Sequence, residues 1–442
     1  MFPNPQDALP LPLRPNLEQY RKLAKDLLKT TRSNDPDALH DWTTRWVERL
    51  VKLSGLKITP GMPVAIKRWA RQVEEFARHR LTERCTLTEA QFVIARVSGF
   101  ETWPRLVKHI QGLGSAASQV AKFEKAADAI VNGDLAVLKR LLQKDPELVR
   151  VRSTREHRAM LLHYVSANGV EGYRQKTPKN AVQIAQVLLK AGAEVDAEAD
   201  VYGGGCTALG LTATSVHPEQ AGVQEELLML LLEHGAAVEH LGLVGNKHQA
   251  VIGCLANGRS KAAAFLASRG AYLDLEGSAG VGWLDVVKSF FDPDGSLKAD
   301  ATREQMRDGF AWACEYGHSS VVSYLLERGV DLEAKLSRNG QTGLHWASYG
   351  GHADIVRLLL QHKAPVNVKD ETYQGTPLGW ALYGWGESPN RGNYYEVVAL
   401  LVDAGAKEEA AWLVDPDRGM PLTAKIQADP RMLAALRGQM PG

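Results

Sequence analysis

Cysteine is scarce, with four in 442 residues, at positions 85, 206, 254 and 314, and no CxxC pair. That spacing offers neither a disulfide frame nor a zinc site, and reads as reduced thiols. An excess of one charge is missing too. Lys+Arg number 52 and Asp+Glu 51, a net charge of +1, so no global field draws the chain to nucleic acid or to an anionic membrane. No apolar run approaches the roughly eighteen residues that a membrane helix needs. The opening MFPNPQDALPLPLRPNLEQYRK has no basic segment followed by an apolar one, so no signal peptide is expected. The thirteen histidines show no ligand spacing, so neither a metal nor a cofactor is expected. These absences favour a cytoplasmic protein. Catalytic signatures are missing as well: no GxSxG, no HExxH, no P-loop and no dinucleotide fingerprint. VYGGGCTALG, residues 201–210, is glycine-rich but lacks the Lys-Ser/Thr pair of a phosphate loop.

What is present is ordinary globular material, 45% hydrophobic and 23% charged, arranged as a repeat. The clearest unit is NGQTGLHWASYGGHADIVRLLLQHKAPVNVKD, residues 339–370. It reads as turn, short helix, Gly-Gly-His turn, longer helix and loop. DGFAWACEYGHSSVVSYLLERGVDLEAK precedes it, and GTPLGWALYGWG…NYYEVVALLVDAGAK follows. Trp312, Trp346 and Trp380 stand 34 residues apart each time. A helix pair with one apolar side cannot bury that side alone, so stacking must bury Ile355, Val356, Leu359 and Leu360 against neighbouring units. The AGA, HGA and RGA tripeptides place glycine where helices end in the left-handed conformation.

TGLHWASYGGHADIVRLLL and GTPLGWAL resemble the ankyrin repeat, with its TPLHxA helix start and GH turn. Weaker copies extend the resemblance over residues 121 to 407, about eight units. It implies an all-α solenoid of about eight helix pairs over 121–407, preceded by a small helical domain over 1–120 and closed by a helical cap over 408–442. Helix in the cap is expected around Glu408–Leu413 and Pro430–Leu436. The resemblance makes His163 and His345 turn-ordering residues and His318 and His352 parts of the GH turn. The glycines at 203–205 become a finger turn.

The first 120 residues lack the repeat. Leu17, Tyr20, Leu23, Leu27 and Leu28 form one helical stripe. TLTEAQFVIARVSGFETWPRLVKHI reads as two helices hinged at Gly99-Phe100, with capping residues at Thr86–Gln91 and Pro104 at a helix start. The whole resembles a helical leader found ahead of some bacterial ankyrin-repeat proteins, either a cap for the array or a partner-binding domain. Its basic residues are diluted by Glu74, Glu75 and Glu83, the pattern of a solvated face.

In the ankyrin arrangement the first helix of each pair lines the concave side. Helical spacing then groups Trp312 with Glu315 and Tyr316, Trp346 with Tyr349, and Trp380 with Tyr383. Tyr164 takes the matching slot in an earlier unit, with Asn168 one turn on. Aromatics are only 7% of the chain, so a row of rings suggests a stacking surface, or else interior bulk between helices. Three turns are lengthened, at 169–180, 215–222 and 384–395. They supply Tyr173, Arg174, Lys176, Trp385 and Arg391 as candidate binding residues.

The implied function is a monomeric binding scaffold for a protein or peptide, with small molecules or carbohydrate as further ligand classes. The alternative is an enzyme, such as a glycoside or other hydrolase, with a pocket closed by the long turns. Glu315 is then the candidate acid/base, paired with Glu387, Glu171 or Asp308.

Overall fold

The computed structural model describes residues 4–33, 35–56, 61–81, 85–239, 250–335, 340–388, 392–407 and 422–440. Among them the chain is helical, with isolated bridges and no strand. It divides into two compact units, Met1–Ala250 and Val251–Gly442. Among the described residues, eight helix pairs follow one another from Gln119 to Asp403.

In Met1–Ala250, five helices precede the repeats. Their core gathers Tyr20, Leu27, Trp42, Trp46, Trp69 and Phe100, with Leu17, Leu23 and Leu28 packed against it. The helix Leu87–Val97 starts at a capping box: the Thr86 N–H donates to Glu89 Oε2 at 2.7 Å and the Glu89 N–H donates to Thr86 Oγ1 at 3.3 Å. It ends where Gly99 takes φ +83°, and Trp103–Leu113 begins with Pro104 in its first turn. The expected hinge is therefore present. The first repeat pairs Gln119–Asn132 with Leu135–Lys144. In the second, the expected first helix is a 3-10 segment, Leu161–Ser166, closed by Ala167 at φ +48°. Ala208–Thr214 and Gln224–Glu233 form the third pair. Before that pair, Gly203, Gly204 and Gly205 take φ +104°, +99° and +72°. Three successive left-handed residues suit glycine alone, which explains the triplet as a turn.

In Val251–Gly442, the first helices of successive pairs pack side by side: Leu275–Gly280 on Arg303–Tyr316, that on Gly343–Gly350, and that on Pro377–Glu387. The second helices, including Ser319–Glu327, Ala353–Gln361 and Tyr394–Asp403, bury Val321, Val322, Ile355, Val356, Leu359, Val397 and Val398 in one core. Leu360 is only half-buried. Leu422–Gln427 and Pro430–Ala435 then pack against the last pair. The expected cap helix at 408–413 lies outside the described residues.

Candidate functional site

Two clusters concentrate polar and aromatic chemistry, one in each unit. The first is the tryptophan row of Val251–Gly442. Each indole projects from the first helix of its pair, one repeat from the next. Ring centroids of Trp312 and Trp346 are 6.3 Å apart, and those of Trp346 and Trp380 are 5.3 Å apart, both tilted. Tyr316 stacks on Trp312 at 6.2 Å. Tyr349 meets Trp346 and Trp380 edge-on and stacks on Tyr383 at 6.3 Å. Such geometries add about 0.5–1.5 kcal/mol per pair beyond burial. Sequence spacing did not single out Tyr373, which is exposed and lies edge-on to Trp380 at 6.1 Å. No reading of the repeat period would have found it, because it sits in the turn before the helix.

Burial differs along the row. Trp312 is 9% and Trp380 7% exposed, whereas Trp346, Tyr316, Tyr349 and Tyr383 are half-buried. The indole nitrogens differ too. Trp312 Nε1 donates to Glu276 Oε1 at 2.9 Å and Trp380 Nε1 to Asp370 Oδ2 at 3.0 Å. Asp370 is buried and also accepts the backbone N–H groups of Thr372, Tyr373 and Gly375. Trp346 Nε1, in the middle, is shielded from solvent and has no partner.

The turns that hold this row are set by histidine. His345 Nδ1 accepts from the Thr342 N–H at 3.0 Å, and Nε2 donates to the Gly375 carbonyl at 3.1 Å. His163 does the same with Met160 and Ala197. Burial pushes both imidazoles down to about 4, so each is neutral, as the tautomer requires. His318 and His352 donate back to the carbonyls of Gly280 and Glu315 in the preceding pair.

Residues 298–411 match the model of the ankyrin-repeat family, in three copies. No curated protein matches the chain. The ankyrin match covers the three pairs that carry Trp312, Trp346 and Trp380, and the turn histidines perform there the ordering expected of them.

The second cluster lies in Met1–Ala250, and most of it was not visible in the sequence. Arg155 is 2% and Glu171 0% exposed at the side chain, and they pair through Arg155 Nε and Glu171 Oε1. Arg155 Nη1 also donates to the Ser98 carbonyl at 3.0 Å and Nη2 to the Tyr173 hydroxyl at 3.1 Å, and its guanidinium lies over Phe100. Arg174 binds Glu124 at 2.7 Å, Asp128 at 2.7 Å and Glu171 at 3.6 Å. His157 reaches Glu171 at 3.4 Å. Burial alone would raise both glutamates, but Arg155 and Arg174 outweigh it and hold Glu171 well below the ordinary carboxylate range and Glu124 below it. One carboxylate oxygen of each, together with the hydroxyls of Tyr20 and Tyr164, has no partner. Arg155 sits in a charged run, Arg155-Glu156-His157-Arg158, that reads as solvent-facing; nothing in its spacing marks one member as interior.

This cluster absorbs several expected binding residues. Tyr164 is fully buried, edge-on to Phe123 and beneath Arg174. Arg174 is buried, and Tyr173 is partly buried against Arg155. The lengthened turn at 169–180 thus points Glu171 and Arg174 inward, and of its candidates only Lys176 is exposed. Asn168 bonds forward to the Leu211 carbonyl and Thr214 Oγ1 and accepts from the Tyr202 hydroxyl. The turn at 215–222 forms the short helix Val216–Gln220. In the third, Trp385 is buried within the helix Pro377–Glu387, and Arg391 lies outside the described residues.

Glu315 is 5% exposed. Of its three suggested partners, Asp308 pairs with Arg307 at 2.7 Å, Glu387 is exposed at a helix end, and Glu171 belongs to the ionic cluster of the other unit. Cys206 Sγ donates to the Val201 carbonyl at 3.2 Å, and burial raises its pKa, which suits a structural thiol. Among the described residues, no group of His, Cys, Asp and Glu could hold a metal, and no helix is long and apolar enough to cross a membrane.

Proposed function

We propose that the ankyrin repeats of residues 298–411 bind a protein or peptide through the accessible edge of the aromatic row. Ankyrin repeats generally mediate protein contacts, and the observation that supports this reading is the half-buried set Tyr316, Trp346, Tyr349 and Tyr383, on the first helices of three successive pairs. Rings with one face packed and one face open present rigid apolar area at little entropic cost, the character of binding hot spots. Trp312 and Trp380 support the surface from beneath. Residues 1–120 serve as a helical cap on the first repeats. The pairing of Asp308 with Arg307 and the place of Glu171 in a separate ionic cluster support binding over hydrolysis.

Selection of a random peptide library on the full-length protein tests this reading. A shared motif should emerge whose binding drops more than about tenfold when Tyr349 and Tyr383 are both replaced by serine, since each lost ring removes about 1 kcal/mol or more. Circular dichroism should be unchanged. Selected peptides that bind the double variant equally well would end the proposal.

A further inference from the structure

The helix Pro377–Glu387 carries a second feature that the aromatic row does not use. Where its Trp385 end meets the two C-terminal helices there is a cavity of about 500 Å³, lined by Trp385, Lys425, Ala428, Asp429, Pro430 and Arg431. That size falls in the range of small-molecule sites.

The lining is mainly apolar, with Lys425, Asp429 and Arg431 as its charged groups. The one carboxylate is committed on both oxygens. Asp429 Oδ1 accepts the N–H groups of Arg431 at 2.9 Å and Met432 at 3.1 Å, and Oδ2 accepts the Tyr395 hydroxyl at 2.9 Å. Donors remain. Lys425 Nζ gives one N–H to the Gly386 carbonyl at 2.7 Å, leaving two. The Arg431 guanidinium lies over the Tyr395 ring at 4.2 Å, and among the described residues it makes no hydrogen bond or ion pair. Trp385 is 6% exposed, and its Nε1 is shielded from solvent without a partner. Two cations stand against one carboxylate around the space.

We propose that this cavity binds a small oxyanion, a carboxylate or phosphate group, with Lys425 and Arg431 as its charge partners and the Trp385 indole as its wall. A ligand of this kind brings negative charge and strong acceptors to the two cations of the lining. Arg431 lies over the Tyr395 ring, and a guanidinium suits two-pronged recognition of such a group. The site draws on none of the residues of the proposed peptide surface, so either proposal can fail without the other.

The test uses the full chain labelled with 15N at the indole nitrogens. The sequence has ten tryptophans, and Trp385→Phe identifies the signal of this one. Inorganic phosphate and benzoate are titrated separately, with sodium chloride at matched ionic strength as the control. The Trp385 signal should move and saturate with one or both probes in the millimolar range or below, corresponding to about 4 kcal/mol or more. Saturation by phosphate alone assigns a phosphate site, by benzoate alone a carboxylate site, and by both a general oxyanion site. Arg431→Ala and Lys425→Ala, both at exposed positions, should each weaken the response about tenfold or more, the loss of one charged hydrogen bond. Nine unmoved indole signals would show that the fold is intact. A Trp385 signal that stays still, follows chloride equally, or saturates unchanged in Arg431→Ala would overturn the proposal.

Discussion

The two units solve the same packing problem with different chemistry. Met1–Ala250 ties its leading helices to its first repeats with buried charge: Arg155 and Arg174 bridge Glu124, Glu171 and Asp128 while bonding to Ser98 and Tyr173. Val251–Gly442 joins its repeats with rings in register, Trp312 to Trp346 to Trp380. A ring row tolerates the loss of a member, because its contacts are many and weak. A buried ionic cluster does not, because removing one partner strands a charge in a medium that cannot solvate it. The first unit should therefore be the more sensitive to any change in protonation or charge.

Acid gives the largest separation. His109, His163 and His345 are buried, and burial pushes each down to about 4. In the unfolded chain each titrates near 6.5, so between these values the unfolded state binds protons that the native state refuses. Their contribution is complete above about pH 6.5 and is lost as pH falls toward 4, on the order of 3 kcal/mol each. Two of the three lie in Met1–Ala250. Glu124 and Glu171, held below the ordinary range by Arg155 and Arg174 against the opposing effect of burial, add a further loss once pH drops below the unfolded carboxylate value of about 4.3. Hydrogen exchange followed from pH 7 to 4 should show protection failing at 155–190 before 343–387. The reverse order would contradict the assignment.

Next in size is Arg174→Met. It leaves Glu124 and Glu171 with Arg155 alone and should destabilise the first unit by about 3–5 kcal/mol. Exchange protection at 343–387 should hold while that at 155–174 collapses. Equal protection in both would mean that the ion pairs contribute nothing.

Gly172→Ala is smaller and more local. A methyl group there would lie 2.5 Å from the Gln6 carbonyl oxygen, and backbone on both sides has little room to yield. Overpacking of this kind costs about 1–3 kcal/mol. The loss should appear as faster exchange in residues 4–9, which thread between this turn and the Val97 carbonyl, where the Leu9 N–H donates at 2.8 Å.

These contrasts also explain what could be read in the sequence. The last helix pairs were legible because a fixed 34-residue offset repeats Trp and Ala three times and Leu-Leu twice, and stacking demands that periodicity. The leading helices were legible from stripe and cap, as at Leu17–Leu28 and Thr86–Glu89. The 3-10 form of Leu161–Ser166 was not, since its alternative to α-helix is decided by neighbours. Nor was the fate of the turn at 169–180. An insertion has no register, and only three-dimensional proximity shows Glu171 and Arg174 meeting Glu124 and Arg155. In the aromatic row, spacing grouped Trp312 with Tyr316 and Trp346 with Tyr349, whose rings are in contact, but could not say how far each would sink. Whether a carboxylate lay in reach of an indole nitrogen depended on Glu276 and Asp370, which helical spacing does not tie to either indole.

That last distinction yields the finest test. Trp380→Phe takes one donor from the buried Asp370 carboxylate, which keeps three backbone N–H bonds, and should cost about 1–2 kcal/mol. Trp312→Phe takes the indole donor from Glu276, which is only half-buried. Water can replace part of that bond, so the cost should be about 1 kcal/mol or less. Trp346→Phe removes a buried N–H that bonds to nothing. Relief of that orphan donor offsets the ring area lost, and the change should be the smallest of the three. Thermal unfolding of the three variants should rank Trp380→Phe, Trp312→Phe, Trp346→Phe from most to least destabilised. If Trp346→Phe proved the worst, its nitrogen must find an acceptor within the folded chain, and the middle of the row would have no hydrogen bond left to offer a partner.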